Sequence, residues 1–183
     1  MITMSVPNIL VISDTHGHIP ALRQVLSWAG EGHFNTAIFL GDGAEDLSQV
    51  SGGSGIPWLI IRGNGDPDPS LPLRASLMFA GHSFFLTHGH LYSLNESFGP
   101  LIAEAGDQGA EVVLFGHTHC PFLGRENGTL LINPGSLGRP RGWRSGSPIG
   151  PSFATITCPP GEAIRVRFWG LGGNGRIGEL DLG

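Results

Sequence analysis

Apolar residues in this chain gather in short unbroken runs that end at a polar residue. Residues 8–13, Asn-Ile-Leu-Val-Ile-Ser, form the first run, followed by 36–40, 57–61 and 111–115. An uninterrupted apolar run suits a strand covered on both faces, whereas a strand with one wet face alternates. Between the first two runs, Ala21, Leu22, Val25, Leu26 and Trp28 fall near helical spacing over 20–29, and Pro20 fits a first helical turn. Leu77-Met78-Phe79 and the segment 83–87 flank Ala80-Gly81-His82 and predict a hairpin. A further helix is expected over 98–105. Segments 121–124 and 129–132 bracket Glu126-Asn127-Gly128, where Asn-Gly is a strong hairpin-turn signal. Two last segments, 152–157 and 163–168, alternate like antiparallel strands.

The strand–helix–strand opening favours an α/β fold. Eight or nine strands with two or three helices are expected, more strand than an ordinary doubly wound sheet holds. Two packed mixed β-sheets flanked by helices would accommodate them. One domain over residues 1–170 is expected, and the run Gly-Leu-Gly-Gly-Asn-Gly from Gly170 onward reads as a loose Gly-rich tail over 171–183.

Composition narrows the function. The 183 residues suffice for one well-buried core, and 40% hydrophobic with 14% charged residues excludes a disordered chain. Net charge is −5, and the ten Lys and Arg form no basic cluster beyond Arg139, Arg141 and Arg144. An extended nucleic acid is therefore not an expected partner, because its binding needs several phosphate-neutralising side chains. A small phosphate ester is compatible if bound cations supply the positive charge. Cys120 and Cys158 cannot make a disulfide framework. No signal-type segment and no apolar run near the roughly 20 residues of a membrane span are present, so a soluble cytoplasmic protein without a membrane partner is expected. Apolar hairpins and open sheet edges permit a homodimer without requiring one.

The chemistry lies in five scattered motifs: Asp14-Thr15-His16, Gly41-Asp42, Gly63-Asn64, His88-Gly89-His90 and Gly116-His117-Thr118-His119. Each follows an apolar run, and loops leaving one edge of a sheet bring distant residues together. Asp14, His16, Asp42, Asn64, His88, His117 and His119 could hold two divalent cations sharing one carboxylate. Imidazole, carboxylate and amide without thiolate suit manganese first, with iron, nickel, cobalt or zinc as alternatives. A structural zinc site would usually contain cysteines. Any one of these residues alone reads more simply as a capping histidine or a turn aspartate. Five such motifs, each at a strand end, do not.

Asp-x-His, Gly-Asp, Gly-Asn, His-Gly-His and Gly-His-Thr-His, in that order, resemble the calcineurin-like metallophosphoesterase superfamily. Ile60-Ile61-Arg62-Gly63-Asn64-Gly65-Asp66 and Ile132-Asn133-Pro134-Gly135-Ser136 resemble its small single-domain bacterial and archaeal phosphodiesterase branch. The resemblance implies an αββα sandwich. It also implies one metal on Asp14, His16, Asp42 and His119, and a second on Asp42, Asn64, His88 and His117. Two such ions could activate a water between them for in-line attack on a phosphate ester. Asn64 could also orient the phosphate through its amide.

One position departs from the family. Larger members often carry, after Gly-Asn, a histidine that can protonate the leaving group; the small branch often has cysteine. Here the residue is Gly65. His18 and His90 are the nearby alternatives, with His90 favoured as a support for a metal-binding neighbour and His18 open. Asp66 is expected to order its loop, and Arg139 reads equally as a substrate contact or a solvated surface residue. His33 and His82 lie outside the motifs, and Cys120 reads as a small packed residue. Pocket walls are expected from loops 43–55, 66–73 and 139–151.

The rival function is a non-catalytic protein-binding scaffold, because the same fold serves in the retromer complex with a degraded metal site. All seven positions here keep ligating residues, which favours catalysis. Nucleases and protein phosphatases of the superfamily usually carry caps or long loops that 183 residues leave little room for.

Overall fold

The computed structural model describes residues 6–30, 32, 34–50, 55–142, 150–173 and 176–182; His33 and Arg144 lie outside them. Among the described residues there are eleven strands and three helices.

The unbroken apolar runs form strands with both faces covered. In β1 (Asn8–Ile12), Ile9 and Val11 point into one core, while Leu10 and Ile12 point into another. The same division holds for β2 (Thr36–Phe39), where Ile38 joins the first core and Ala37 and Phe39 the second. The second core also takes Ala21, Leu22, Val25, Leu26 and Ala29 from α1 (Ile19–Gly30), and Leu47 from α2 (Ala44–Val50).

One sheet has the order β11-β10-β9-β1-β2-β3. In it β1, β2 and β3 (Trp58–Ile60) are parallel. Strands β9 (Ser152–Thr157), β10 (Arg165–Leu171) and β11 (Ile177–Leu180) continue the sheet beyond β1, each antiparallel to its neighbour. The second sheet has the order β4-β5-β6-β8-β7. There β5 (His82–Thr87), β6 (Val112–Leu114) and β8 (Thr129–Pro134) run parallel. Its edges, β4 (Arg74–Phe79) and β7 (Pro121–Glu126), are antiparallel. Phe84, Leu86, Val112, Leu114 and Ile132 meet Ile9, Val11, Ile38 and Leu40 between the sheets. On the far side, Phe85, Val113 and Leu131 bury Leu101, Ile102 and Ala105 of α3 (Gly99–Asp107). Two mixed sheets between helical layers are therefore what the strand content implied.

Three local expectations change. The loose tail contains β11: Ile177 packs on the α1 side and Leu180 on the inter-sheet side, so the strand is anchored through both faces. The loop expected over 43–55 contains α2, whose seven residues are too few to show a periodic signal. The strand total exceeds the eight or nine expected. The Asn-Gly turn is as expected, with Asn127 at φ 50° and Gly128 at φ 85°, the left-handed pair of a type I′ hairpin.

Candidate metal centre

Parallel strands deliver their C-terminal ends to one edge, and ligands of open α/β sheets gather there. Residues 14–16 follow β1, Asp42 follows β2 and Asn64 follows β3; His88 follows β5, and His117 and His119 follow β6. The two sheets are tied at this edge, because His88 Nδ1 lies 2.6 Å from the Leu40 carbonyl oxygen.

Five of the seven expected donors have left-handed backbones: Asp14 (φ 55°), His16 (44°), Asp42 (58°), His117 (66°) and His119 (62°). The other two non-glycine residues with positive φ among those described, Ala80 and Asn127, sit in hairpin turns. Asp and His tolerate this region better than branched or bulky residues, yet it still carries strain, and such strain concentrates at functional sites. Cross-strand bonds impose it: Asp14 N–H donates to Gly41 O at 2.9 Å, and His16 N–H to Asp42 O at 3.1 Å. Gly63 permits a close approach to Asp42. A Cβ there would stand 2.1 Å from Asp42 Oδ1, so only glycine lets the ends of β2 and β3 close around that carboxylate.

The donor atoms converge. His119 Nε2 lies 3.2 Å from Asp14 Oδ1, and His16 Nε2 lies 3.7 Å from the same oxygen and 3.1 Å from His119 Nε2. His88 Nε2 lies 4.0 Å from Asp14 Oδ1 and 3.6 Å from Asp42 Oδ1, while Asp42 Oδ2 lies 3.7 Å from His16 Nε2. Two triads result, Asp14–His16–His119 and Asp14–Asp42–His88, each with its ligating atoms within 4.8 Å of one another.

Tautomers follow from the partners. A carbonyl oxygen can only accept, so His88 donates from Nδ1 to Leu40, and His119 donates from Nδ1 to Arg139 O at 2.8 Å. In the neutral rings both Nε2 atoms then carry lone pairs aimed at the cluster. Asp14 Oδ1 and His88 Nε2, on residues with no exposed surface, have no hydrogen-bond partner. Buried polar atoms are normally satisfied, so orphaned acceptors facing one another are what a divalent cation would complete. Burial holds His16, His90 and His117 below the ordinary imidazole value; for His90 and His117 the neighbouring His88 adds to the effect. Neutral imidazole is the form that ligates.

Surrounding groups hold the donors. Asp14 Oδ2 accepts from Ser13 Oγ at 2.5 Å and from His117 N–H at 3.1 Å, which turns Oδ1 to the cluster. Asp46 of α2 accepts from Thr15 Oγ1 at 2.5 Å and Gly17 N–H at 2.7 Å, fixing the loop after β1. The wholly buried Asn133 donates to Gly116 O at 2.8 Å and Thr118 Oγ1 at 3.1 Å. Asp66 accepts four backbone N–H bonds, from Asp42, Gly43, Ala44 and Gly63, each at 2.8 Å. It orders the loops after β2 and β3, as its position implied.

Burial opposes the Asp66 charge, but those four donors outweigh it and hold its carboxyl below the usual value. Its stabilising contribution is therefore fully present above the unfolded-state pKa and lost as pH falls through the lower folded value. Asp66→Ala should cost about 3 kcal/mol, because the four donors lose a charged partner. Asp66→Asn should flatten the acid side of the stability profile. Urea denaturation of chelator-treated protein from pH 3 to 7 reads both; an unchanged acid slope in Asp66→Asn would refute this account.

The remaining candidates separate. Asn64 is exposed and lines an open cleft of about 250 Å³ with His16, Asp42, His117, His119 and Arg139. His18 accepts from Ala21 N–H at Nδ1, 3.1 Å, so it caps α1. The His90 ring lies 5.4 Å from His88 and 6.3 Å from His117 between centroids, and its buried Nδ1 has no partner. His82 pairs with Glu111 at 3.4 Å, away from the cluster, and Cys120 is half-buried just before β7, as a packed residue would be. Sequence reasoning missed the roles of Asp46, which carried no motif, and of Asn95, which reaches the cleft from a separate loop; Arg139 and Arg141 border the cleft from the expected wall 139–151.

Residues 8–158 match the family model described as a calcineurin-like phosphoesterase superfamily domain. The chain is 30% identical over 167 residues to a Bacillus subtilis protein named probable metallophosphoesterase YsnB, covering 91% of this chain and 93% of that one. It is 28% identical over 160 residues to phosphodiesterase YfcE of Escherichia coli K12, covering 73% and 81%. Among solved structures, vacuolar protein sorting 29 from Cryptosporidium parvum shares the fold at TM-score 0.75 and 18% identity, with 96% of each chain covered. The sequence match, the ordered motifs and the strand-end cluster agree: this chain belongs to the calcineurin-like phosphoesterase superfamily.

Proposed function

We propose that the protein is a binuclear metal-dependent phosphodiesterase acting on small phosphate esters. The observation that carries this reading is the pair of orphaned acceptors, Asp14 Oδ1 and His88 Nε2, directed into one cluster of carboxylates and imidazoles. One cation would be held by Asp14, His16, Asp42 and His119, the other by Asp42, Asn64, His88 and His117. Asp42 would be the shared carboxylate: its Oδ2 faces His16 and its Oδ1, which also accepts from Gly65 N–H, faces His88, whereas Asp14 Oδ2 is turned to Ser13 and His117. Bound divalent ions would supply Lewis acidity toward phosphate oxygens and a water deprotonated near neutral pH.

The chain's own groups supply the rest. The exposed Asn64 amide can orient a phosphate at the mouth of the cleft, and the guanidinium groups of Arg139 and Arg141, which border it, suit anionic oxygens. Asp46, Asp66, Ser13 and Asn133 keep the donor loops in place before substrate arrives, so little reorganisation accompanies reaction. The name phosphodiesterase carried by the E. coli relative favours diesters over monoesters.

A second reading, a protein-binding scaffold, is favoured only by the fold likeness to vacuolar protein sorting 29. The converging Asp14, His16, Asp42, His88 and His119 and their oriented tautomers support the enzyme reading. The same geometry predicts two cations per chain after reconstitution with Mn²⁺. Elemental analysis and anomalous scattering should find both beside Asp42. One cation at saturation, or cations away from Asp42, would overturn the binuclear arrangement.

A further inference from the structure

Beside the cleft lies a larger cavity, about 570 Å³ against about 250 Å³. Asn95, Thr118 and Arg141 border both spaces, so the cavity adjoins the donor cluster on one side. Three phenylalanines border it, Phe98, Phe122 and the buried Phe115, with Phe98 5.1 Å from Phe122 and 5.5 Å from Phe115 between ring centroids. Phe98 and Phe122 are only half-buried. Half-exposed aromatic rings with polar groups at the rim mark a binding groove, and the volume is that of a small-molecule pocket. Glu96 and Glu126 also border it, which disfavours a second anionic group there.

From this juxtaposition we infer that the substrate class is phosphodiesters bearing a neutral aromatic substituent, the ring seated against Phe98 and Phe122 while the phosphate lies in the cleft. Arg141 stands where the two spaces join, where its guanidinium suits the anion and the face of the adjoining ring. The cavity takes the substituent that stays on phosphorus, where a ring adds apolar contact that a methyl group cannot. The inference rests on the phosphoesterase reading and deepens it.

The test separates binding from turnover. Calorimetry on the Mn²⁺-loaded protein should show phenylphosphonate bound about tenfold more tightly than methylphosphonate, a difference of about 1.4 kcal/mol. Phe98→Ser and Phe122→Ser should each reduce that preference to about twofold while methylphosphonate affinity holds. In kinetics, phenyl 4-nitrophenyl phosphate should show a KM about tenfold below that of methyl 4-nitrophenyl phosphate, with the same leaving group. Equal affinities for the two phosphonates in the unmodified protein would overturn the inference without reference to any variant. Tenfold preference with no hydrolysis of either ester would uphold the pocket and remove the catalytic reading. Equal KM and equal affinity with active hydrolysis would do the reverse. A pocket occupied instead by a second copy of the chain would show a dimer dissociated by Phe98→Ser and no preference for the phenyl compound, which also overturns it.

Discussion

Asp42→Ala and His88→Ala should each lower phosphodiester hydrolysis by at least about 10²–10³-fold, the effect of removing one preorganised electrostatic group from an active site. The two changes act on different parts of the cluster. Asp42 presents one oxygen toward His16 and the other toward His88, so its loss removes the negative charge between both donor sets. His88 contributes one lone pair, with its other nitrogen committed to Leu40 O. Asp42→Asn keeps the shape and removes the charge, so it should fall nearly as far as Asp42→Ala. The fold should survive, because the three cores consist of Ile9, Leu10, Phe85 and their neighbours rather than of the donors. Wild-type circular dichroism with lost activity and lost metal is the expected result. Activity within tenfold of wild type, at unchanged metal content, would show that this cluster is not the catalyst and would move the scaffold reading ahead.

Much of this arrangement was legible from the residues, for identifiable reasons. Unbroken runs such as Ile9-Leu10-Val11-Ile12 announce strands covered on both sides, and the alternate residues do enter separate cores. Each run is followed within a few residues by an expected donor, so the seven expected positions stand out from the residue order alone. Other features need tertiary contact. β11 is diluted by glycine and holds through Ile177 and Leu180 on opposite faces, with its ladder supplied by β10. α2 is short and matters through Asp46, whose partners lie about thirty residues earlier in the chain. The left-handed backbones of Asp14, Asp42 and His117 sit among bonds to residues distant in sequence, which no local pattern encodes. The aromatic cavity joins Phe98, Phe115 and Phe122 from three separate segments. Nothing in the residue order distinguishes them from the other phenylalanines.

Hydrolysis should depend strongly on the leaving group, with aryl esters cleaved much faster than alkyl esters of similar size. At Gly65 there is no side chain to donate a proton, so the departing oxygen must leave as an anion or take its proton from water. General-acid assistance is typically worth about 10²–10⁴-fold and matters most for a basic alkoxide. Gly65 instead holds the carboxylate between the donor sets, because its N–H donates to Asp42 Oδ1 at 2.7 Å. A Cβ at this position would stand 3.1 Å from that oxygen, so a side chain requires the carboxylate to move by a few tenths of an ångström. Gly65→Ala therefore isolates the steric cost, and Gly65→His adds an acid to the same cost. The ratio of the two variants on an alkyl ester measures what a donor at this position restores, and it should exceed tenfold. Neither nearby histidine replaces the donor cleanly. His18 spends Nδ1 on capping α1, and His90 is packed against His88 and His117. The decisive measurement is the slope of log kcat/KM against leaving-group pKa for a series of aryl and alkyl diesters. A steep negative slope in the unmodified protein, flattened in Gly65→His, is expected. A flat slope without modification would show that a donor is already present; His18→Ala would then be the first variant to test, because His90→Ala could also disturb His88.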